Sequence, residues 1–589
     1  MDQKNLLAAI AISIAILLGF QFLLPKTTSR QPLETAQQLN QATAANTPSR
    51  PDPSFPGTEP VSVPSPRESP RVPIDAPRVS GSINLRGALL DDLVLRNYTV
   101  EVAPTSPLVR MLEPSYDPEP NYIQYGWTSD TPGIALPNEN TLWTVTGTIL
   151  KPGAPVTLTW DNGGGLVFTI AFTVDDNFMF GVTQSVRNTT AAPVALHPFT
   201  RVRREYEPVT AGYSVLHEGP IKVLGGTLQD TWSYAQVKKD AKEHDGVALT
   251  ETGEGGWTGI TDKYWLTAVI SGAKTLQRST LEYTSTPAAA IRYQVGFANA
   301  DAEIIPPGGE AHYDSRAFAG AKEVHLLNHY EVDDNIPLFS YAVDWGWFFF
   351  ATKPIFYALD WLYNAIGNFG LAIMVFTVFV KLLFFPLANK SYKSMSKMKL
   401  LGPKMAALKE RLKDDPTKLQ SEMMQLYRAE KVNPASGCLP MLVQIPVFFS
   451  LYKVIFITIE MRHAPFYGWI HDLSALDPTN AFNLFGLIPY DPSHVFSFLH
   501  LSAWTLIMGA TMYVQQQLNP PPPDPMQARL FKFMPLIFMF MMGSFPAGLL
   551  IYWSWNNTLT IIQQWLIMRR TKLEPSQPAN ITRTAKSRS

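Results

Sequence analysis

The segment GLAIMVFTVFVKLLFFPL, from Gly370 to Leu387, decides the fold because it is a long apolar run with one charged residue, Lys381. A helix of these 18 residues would be about 27 Å long, enough to cross most of the hydrocarbon core of a bilayer. An ammonium group at that depth costs roughly 2.5–3.5 kcal/mol on insertion scales. Either Lys381 lines a water-filled cavity, or its side chain extends to the nearby interface. The segment predicts a membrane protein and leaves both alternatives open.

Composition divides the 589-residue chain into two unlike parts. The first part is mostly polar, and nearly all long apolar runs lie in the second, so the mean hydropathy is −0.01. A net charge of −1 argues against a dedicated nucleic-acid binder, and no DNA contact is expected. The single cysteine, Cys438, lies at the start of an apolar run, which leaves no disulfide for the polar part. The polar part therefore needs an ordinary hydrophobic core.

The first 78 residues predict an anchor and a tether. Nineteen residues from Leu6 to Leu24 carry no charge, which fits an uncleaved N-terminal transmembrane anchor (residues 1–25) better than a cleaved signal peptide. Ten prolines follow between Pro48 and Pro77. Such a stretch cannot form a hydrophobic core, so residues 26–78 are expected to be a disordered tether.

Residues 79–335 alternate in short apolar and polar runs separated by turn signals. VTLTW, from Val156 to Trp160, has the period of a strand, and DNGGG (residues 161–165) separates it from the return strand LVFTIAFTV. Many such strands over this length predict a large β-sandwich. The Gly163–Gly165 cluster lies between strands and does not open a helix, so it does not predict nucleotide binding.

The last part of the chain predicts an interfacial helix and five more spans, and with the anchor this makes six. Residues 345–366 are rich in aromatics and suit the headgroup level. The 36 residues from Phe533 to Met568 are too long for one crossing, and residues 544–548 supply the turn that divides them. The predicted helical membrane core is residues 340–568, with spans at about 368–387, 439–459, 498–517, 533–545 and 547–568.

Charge predicts the orientation. Residues 388–436, between the second and third spans, carry eleven basic and five acidic residues, and the tail at 569–589 carries six basic residues and one acid. The loop at 460–496 has one arginine and four acids. By the positive-inside rule, the first loop, the tail and both termini lie in the cytoplasm, and the β domain lies in the periplasm. The predicted localisation is therefore the inner membrane of a bacterium, as a multi-pass protein.

Polar residues of the spans are expected at one depth, in the cytoplasmic half. Thr377 and Lys381 are four residues apart, on one helix face. The others of this set are Gln444, Thr511, Gln515, Ser554, Asn556, Asn557, Thr560, Gln563 and Gln564. Each alone is explained by hydrogen bonds between helices. Together with a lysine, they favour a cavity that opens only to the cytoplasm. Lys453, in the outer half of its span, is interpreted as reaching outward to the interface.

The cytoplasmic loop predicts a helical hairpin of residues 390–413 and 417–431. Asp415 can cap the second helix, which Pro416 begins and Asn433-Pro434 ends. Methionines form an apolar stripe beside lysine-rich faces: Met395, Met398, Met405, Met423 and Met424. They either hold the hairpin together or contact substrate, and the basic faces suit anionic headgroups or RNA.

Several functional classes are disfavoured. No span contains Asp or Glu for an ion relay, and the spans do not form two repeats with matched broken helices, which argues against a pore or pump. No HExxH, GxSxG or Walker sequence is present, so neither catalytic residues nor a metal site are predicted.

The segments KMKLLGPKMAALKERL, EMMQLYRAEKVNPASGCLPMLVQIPVFFSLY, APFYGWIHDLSALDP, DPMQARLFKFMPLIF and FPAGLLIYW closely resemble the YidC-type membrane protein insertases of the YidC/Oxa family. The resemblance is strong over about residues 340–570. The anchor, the tether and GGWTGITDKYWL (Gly255 to Leu266) resemble the Gram-negative long form. This implies a periplasmic β-supersandwich, related in fold to sugar-binding domains, and no cofactor.

The resemblance also implies a site. In the family, a cation of the second span, usually arginine, lies in a groove open to the cytoplasm, and Lys381 occupies that position here. Thr377, Gln444, Tyr552 and Trp553 would border the substrate path, together with Asn556. The third and fifth spans would form an apolar slide for nascent membrane proteins entering the lipid bilayer. The Sec translocon, the ribosome and the signal-recognition-particle receptor are further expected partners.

The expected function is therefore a membrane protein insertase and chaperone, not an enzyme. Two alternatives from other classes stay open at this point. One is a small-solute transporter with a periplasmic sugar-binding-like domain, and the other is a structural scaffold for envelope enzymes.

Overall fold

The computed structural model describes residues 69–572, except 211–215, 230–231, 287–288, 413–414, 431, 433–438, 489–498 and 520–524. The predicted anchor, most of the tether, Cys438, the Asn433-Pro434 stop and nearly all of the basic tail lie outside the described residues. Two compact units are present, a β-rich unit that ends at Asp344 and a helical unit that begins at Trp345.

The β-rich unit holds 17 described strands, all connected by hydrogen bonding. They are β1 Arg71–Asp75, β2 Val79–Asn84, β3 Leu89–Thr99, β4 Leu108–Leu112, β5 Asn121–Thr128, β6 Thr144–Thr146, β7 Val156–Asp161, β8 Leu166–Val174, β9 Met179–Asn188, β10 Val194–Arg204, β11 Gly219–Leu224, β12 Thr227–Gln229, β13 Val247–Thr261, β14 Trp265–Thr286, β15 Ala289–Asn299, β16 Glu303–Ile305 and β17 Glu310–Ala321. Its helices are α1 Tyr234–Glu243 and α2 Val324–Val332. A short 3₁₀ turn, Phe339–Ala342, follows α2.

The hairpin of β7 and β8 follows the predicted pattern. The strands pair antiparallel from Val156 opposite Phe172 to Asp161 opposite Val167. Val156 and Leu158 are fully buried, as the alternation predicts. Gly163 and Gly165 in the turn have φ of +69° and +91°, which residues with a Cβ rarely adopt. The strand-turn-strand prediction is confirmed.

The β-rich unit begins earlier than predicted. Strand β1, Arg71–Asp75, lies inside the segment 26–78 assigned to the tether, and it pairs antiparallel with β2. Val72 and Ile74 are buried, so these residues belong to the core although Pro73 stands between them. The high proline content led to the prediction of a tether where the structure has a strand. Proline is tolerated in a strand at positions that donate no hydrogen bond to the neighbouring strand.

The helical unit contains nine described helices. They are α3 Phe349–Ile366, α4 Phe369–Leu383, α5 Phe385–Leu400, α6 Gly402–Arg411, α7 Pro416–Ala429, α8 Leu439–Ile457, α9 Ala503–Leu518, α10 Pro525–Met542 and α11 Ala547–Lys572. Two 3₁₀ turns, Ile459–Met461 and Ala481–Gly486, lie between α8 and α9.

The predicted span at 368–387 is broken. Helix α4 ends at Leu383 and α5 leaves it at an angle of 68°. Phe384 between them has φ −90° and ψ 8°, and Pro386, which has no N–H to bond back, stands in the first turn of α5. Within the described residues, only this bent pair has the length and apolar composition to cross a bilayer, and no single helix does.

Other helix boundaries agree with the sequence. The break predicted at residues 544–548 is confirmed, since α10 ends at Met542 and α11 begins at Ala547. Asp415 caps α7 by accepting a hydrogen bond of 3.0 Å from the backbone N–H of Lys418. The first hairpin helix, predicted as one element over 390–413, is instead divided at Leu401, where Gly402 and Pro403 begin α6.

Candidate functional site

Lys381 lies in the last turn of α4, and its ammonium bonds to α11. Lys381 Nζ donates a hydrogen bond of 2.8 Å to Thr560 Oγ1. The Thr560 hydroxyl donates to the backbone carbonyl of Asn556, 2.7 Å away. In the part of the chain that the structure describes, this half-buried cation is therefore held by a neutral hydroxyl and not by a carboxylate. An anion would gain more at such a cation than at one already neutralised by an acid.

Asn556 lies one helical turn before Thr560 on α11. Its side chain is 9% exposed, and its amide oxygen Oδ1 is buried without a hydrogen-bond partner among the described residues. Burying an amide oxygen without a partner is unfavourable, by about 1–3 kcal/mol. The Thr560 hydroxyl thus connects the Lys381 ammonium to the backbone carbonyl of Asn556, and the side chain of Asn556 carries an unused acceptor.

The neighbouring polar residues of α11 are used between helices. Asn557 Nδ2 donates to Thr511 Oγ1 on α9, at 3.3 Å. The indole Nε1 of Trp555 donates to the Met374 carbonyl on α4, at 3.0 Å. For Asn557, the structure supports the alternative of hydrogen bonding between helices. The adjacent Asn556 differs from Asn557, because its amide oxygen has no partner among the described residues.

Gln444, Tyr552 and Trp553 lie where α8 meets α11. Gln444 Nε2 donates to the hydroxyl of Tyr552, a buried side chain. The Phe448 ring packs edge-on against Trp553, with ring centroids 4.7 Å apart, and Phe538 of α10 packs on the same indole at 6.0 Å. The hydrogen-bonded pair of Gln444 and Tyr552 and the aromatic cluster around Trp553 therefore both lie at the contact between α8 and α11.

Thr377 does not present its hydroxyl to an open cavity. It is 2% exposed and donates to the carbonyl of Ile373, 2.7 Å away, in its own helix. The spacing of four residues predicted a shared side of α4 for Thr377 and Lys381. It did not give depth, which depends on how the helices pack.

Two contributors to this site were not predicted. Trp555 connects α11 to α4, as described above, and Asn519 accepts a hydrogen bond of 3.1 Å from Gln564 Nε2 at the end of α9. Trp555 gave no signal in the sequence, because an aromatic residue in a span is expected to face lipid. Asn519 did give one, since it directly follows Gln515, Gln516, Gln517 and Leu518 at the polar end of α9.

The predicted methionine contacts divide into three groups. Met398, Met405 and Met423 pack against a cluster that includes Tyr427, whose hydroxyl lies 3.6 Å from the Met405 sulfur. Met395 is buried in a separate cluster with Ala388, Tyr392 and Ile567. Met424 is 45% exposed.

Comparison with known proteins gives the class first. Residues 361–574 match the family described as 60Kd inner membrane protein, and residues 71–358 match the YidC periplasmic domain. A β-rich periplasmic domain followed by a helical unit of this kind defines an inner membrane protein.

Close relatives then give the family. The membrane protein insertase YidC of Granulibacter bethesdensis is 55% identical over 588 residues, 99% of this chain and 100% of that protein. The protein of the same name from Methylorubrum extorquens is 47% identical, covering 97% of this chain and 95% of that one. An active YidC insertase crystal structure with the first transmembrane domain resolved aligns with 84% of this chain and 94% of that chain, at 18% identity and a TM-score of 0.34. The chain belongs to the YidC membrane protein insertase family, and the resemblance inferred from its motifs is confirmed.

Proposed function

We propose that this chain inserts proteins into the inner membrane and assists their folding, through a hydrophilic groove that surrounds Lys381 and opens to the cytoplasm. The observation that carries the proposal is a cation in an apolar helix whose partner among the described residues is the Thr560 hydroxyl, 2.8 Å away. In this proposal six spans place both termini, the hairpin and the tail in the cytoplasm. The names of the relatives support the activity.

The proposed mechanism needs no cofactor and no covalent chemistry. A short, often acidic, extracytoplasmic tail of the substrate enters the groove and is attracted by Lys381. The following apolar helix passes α8 and α11 and moves into lipid, where each large apolar side chain gains roughly 1.5–3 kcal/mol on leaving water. The product is strongly favoured. The groove lowers the barrier, which is desolvation of the polar tail.

The walls of the groove follow from the contacts at α8 and α11. Tyr552 and Gln444 would form the polar border, and Trp553 with Phe448 would form the aromatic surface on which the apolar helix moves. Thr377 would contribute through packing, since its hydroxyl already bonds to its own helix.

The hairpin of α6 and α7 is the proposed docking element for cytoplasmic partners. Lys404 pairs with Glu430 at 2.7 Å, and Arg411 pairs with Glu422, so two ion pairs connect its helices. Because Met405 and Met423 pack inward, together with Met398 of α5, Met424 is the methionine best placed for direct substrate contact. Its basic faces suit the ribosome or the signal-recognition-particle receptor, and the Sec translocon is a further proposed partner.

Reconstitution tests the function directly. We expect the full chain in liposomes to insert an added single-span protein with an acidic tail, measured by protease protection, without other proteins. Photocrosslinkers at positions 381 and 444 should react with the stalled substrate. Insertion no better than in empty liposomes would contradict the proposal, and solute flux in the same vesicles would favour the transporter alternative.

Asn556 and Asn557 provide a matched pair for a second test. Asn556→Leu is expected to lower the insertion rate about 5- to 30-fold, because removing one hydrogen bond to the passing chain corresponds to about 1–2 kcal/mol. Asn557→Leu should instead lower the melting temperature in detergent, because Asn557 bonds to Thr511. Insertion rates and melting curves of both variants measure this. If both variants changed the insertion rate and the melting temperature equally, Asn556 would have no role in insertion beyond that of Asn557.

A further inference from the structure

The loop between α8 and α9 presents apolar side chains in a conformation that is held by hydrogen bonds. We define the apolar loop as residues 481–488, AFNLFGLI, which carry no charge. Leu484 and Phe485 have φ of +52° and +58°, a left-handed conformation that residues with a Cβ adopt only under constraint. The backbone N–H of Phe485 donates to the Asn480 carbonyl at 2.9 Å, and that of Ile488 to the Asn483 carbonyl at 3.0 Å.

The constrained backbone turns apolar side chains outward. Leu487 is 83% exposed, and the other large apolar residues of the loop are between 43% and 54% exposed: Phe482, Leu484, Phe485 and Ile488. The amide oxygen of Asn483 is used inside the loop, where it accepts from the Gly486 N–H at 2.9 Å. A strained backbone that exposes five large apolar side chains is unfavourable in water, which indicates an apolar environment for this surface.

The base of the loop is joined to the start of α9. Ala481 N–H donates to the Leu501 carbonyl at 2.8 Å, and the Asn480 amide oxygen accepts from the Leu501 N–H at 3.3 Å. Ser502, the next residue, caps α9. The apolar loop therefore lies at the end of a helix of an inner membrane protein.

The neighbouring helices also expose apolar side chains. Helices α9 and α10 expose large apolar side chains of their own: Ile507, Tyr513, Val514, Phe533, Leu536, Ile537 and Met541. Tyr467 and Trp469, in the same connection as the loop, are 62% and 43% exposed, and such side chains favour the headgroup level. The Trp469 indole also donates to the buried Asp477 carboxylate at 3.0 Å, which fixes its position.

We propose that the apolar loop inserts into the bilayer interface at the α9 end of the helical unit and anchors it there. The occupant of its surface is lipid, because the loop offers neither charge nor the free polar rim that a protein partner would use. Insertion by about 5–10 Å would bring the loop to the boundary of headgroups and acyl chains. The proposal rests on membrane localisation and not on the insertase activity.

Spin labelling tests this in the full chain. Cys438→Ser removes the only cysteine, and Leu487→Cys or Leu484→Cys then carries a nitroxide in phosphatidylglycerol–phosphatidylethanolamine vesicles. Ile304→Cys, on strand β16 of the β-rich unit and 70% exposed, is the matched control. Collision with oxygen relative to collision with a polar nickel chelate should be at least about threefold higher at 484 and 487 than at 304, because the chelate is excluded from the acyl region.

Two outcomes would overturn the proposal. Equal oxygen-to-nickel ratios at 487 and 304 would place the loop in water. Low collision with both reagents would mean that protein, such as a second copy of the chain, covers it. An insertion assay on the same variants separates this result from the proposed function, since a spin label in lipid is independent of substrate transfer.

Discussion

Lys381→Leu is expected to slow the insertion of substrates with acidic tails strongly. The ammonium is held only by the neutral Thr560 hydroxyl among the described residues, so its charge is available to a substrate carboxylate. At about 4 Å and an intermediate effective dielectric, such an attraction amounts to about 4 kcal/mol, and in bulk water to about 1 kcal/mol. We therefore expect the insertion rate to fall at least about tenfold, and further for Lys381→Glu, which repels the tail.

The substitution series separates charge from packing. Lys381→Arg should retain most activity because it keeps the cation, although a planar guanidinium places its donors differently from an ammonium. Lys453→Leu is the control, because it also removes a lysine from an apolar helix, α8, but one that is interpreted as reaching outward to the interface. It should leave the insertion rate within about twofold of the wild-type rate. Replacing the tail aspartates of the substrate by asparagine should make wild type and Lys381→Leu alike. A Lys381→Leu protein that inserts the acidic substrate at the wild-type rate would refute the electrostatic role.

Gly543→Val is expected to have the largest effect on stability. A Cβ at Gly543 would lie 2.0 Å from the backbone oxygen of His500, which cannot rotate away. The His500 ring also hydrogen-bonds to the Gly543 carbonyl, with 2.7 Å between Nδ1 and the oxygen. The substitution must displace the turn that sets α11, so we expect a loss of about 3 kcal/mol or more and, with it, loss of insertion.

Two other glycines calibrate this effect. A Cβ at Gly509 would meet the Met539 sulfur at 2.1 Å, and since a methionine side chain can move, Gly509→Ala should cost less, about 1–2 kcal/mol. Gly402 has no atom within 4 Å of such a Cβ, so Gly402→Val should be nearly neutral. Thermal unfolding of the three purified variants in detergent measures the order. If the melting temperature of Gly543→Val equalled that of Gly402→Val, the close approach of Gly543 to His500 would not limit the stability of the protein.

The parts of the fold that depend on local chemistry were predictable from the sequence. Asp415 and Pro416 predicted the start of α7, and the turn residues after Met542 predicted the break before α11. Pro386 is also a sequence signal for the bend after Leu383, but the apolar run around this proline favoured one continuous span in the prediction. The hairpin β7–β8 followed from alternation alone.

The site was predictable only in outline. The charge-based topology placed Lys381 and the polar residues of α11 at one depth, and sequence periodicity adds only the side of a helix on which a residue lies. It cannot distinguish Asn556 from Asn557, which point to different neighbours because of how α11 packs between α4 and α9. The buried state of Thr377 has the same origin. Contacts between distant segments decide these roles, and no local pattern encodes them.

The early end of α4 has an electrostatic consequence. The helix stops at Leu383, two residues after Lys381, so the last turn of α4 carries this cation, and at that end of a helix the aligned peptide dipoles leave a partial negative charge. That field stabilises a cation by about 0.3–1 kcal/mol, and more where water is scarce. Had the helix run on without a bend, Lys381 would lie in its middle and lose this contribution. The backbone thereby supplies part of the counter-charge that no acidic side chain of this span provides.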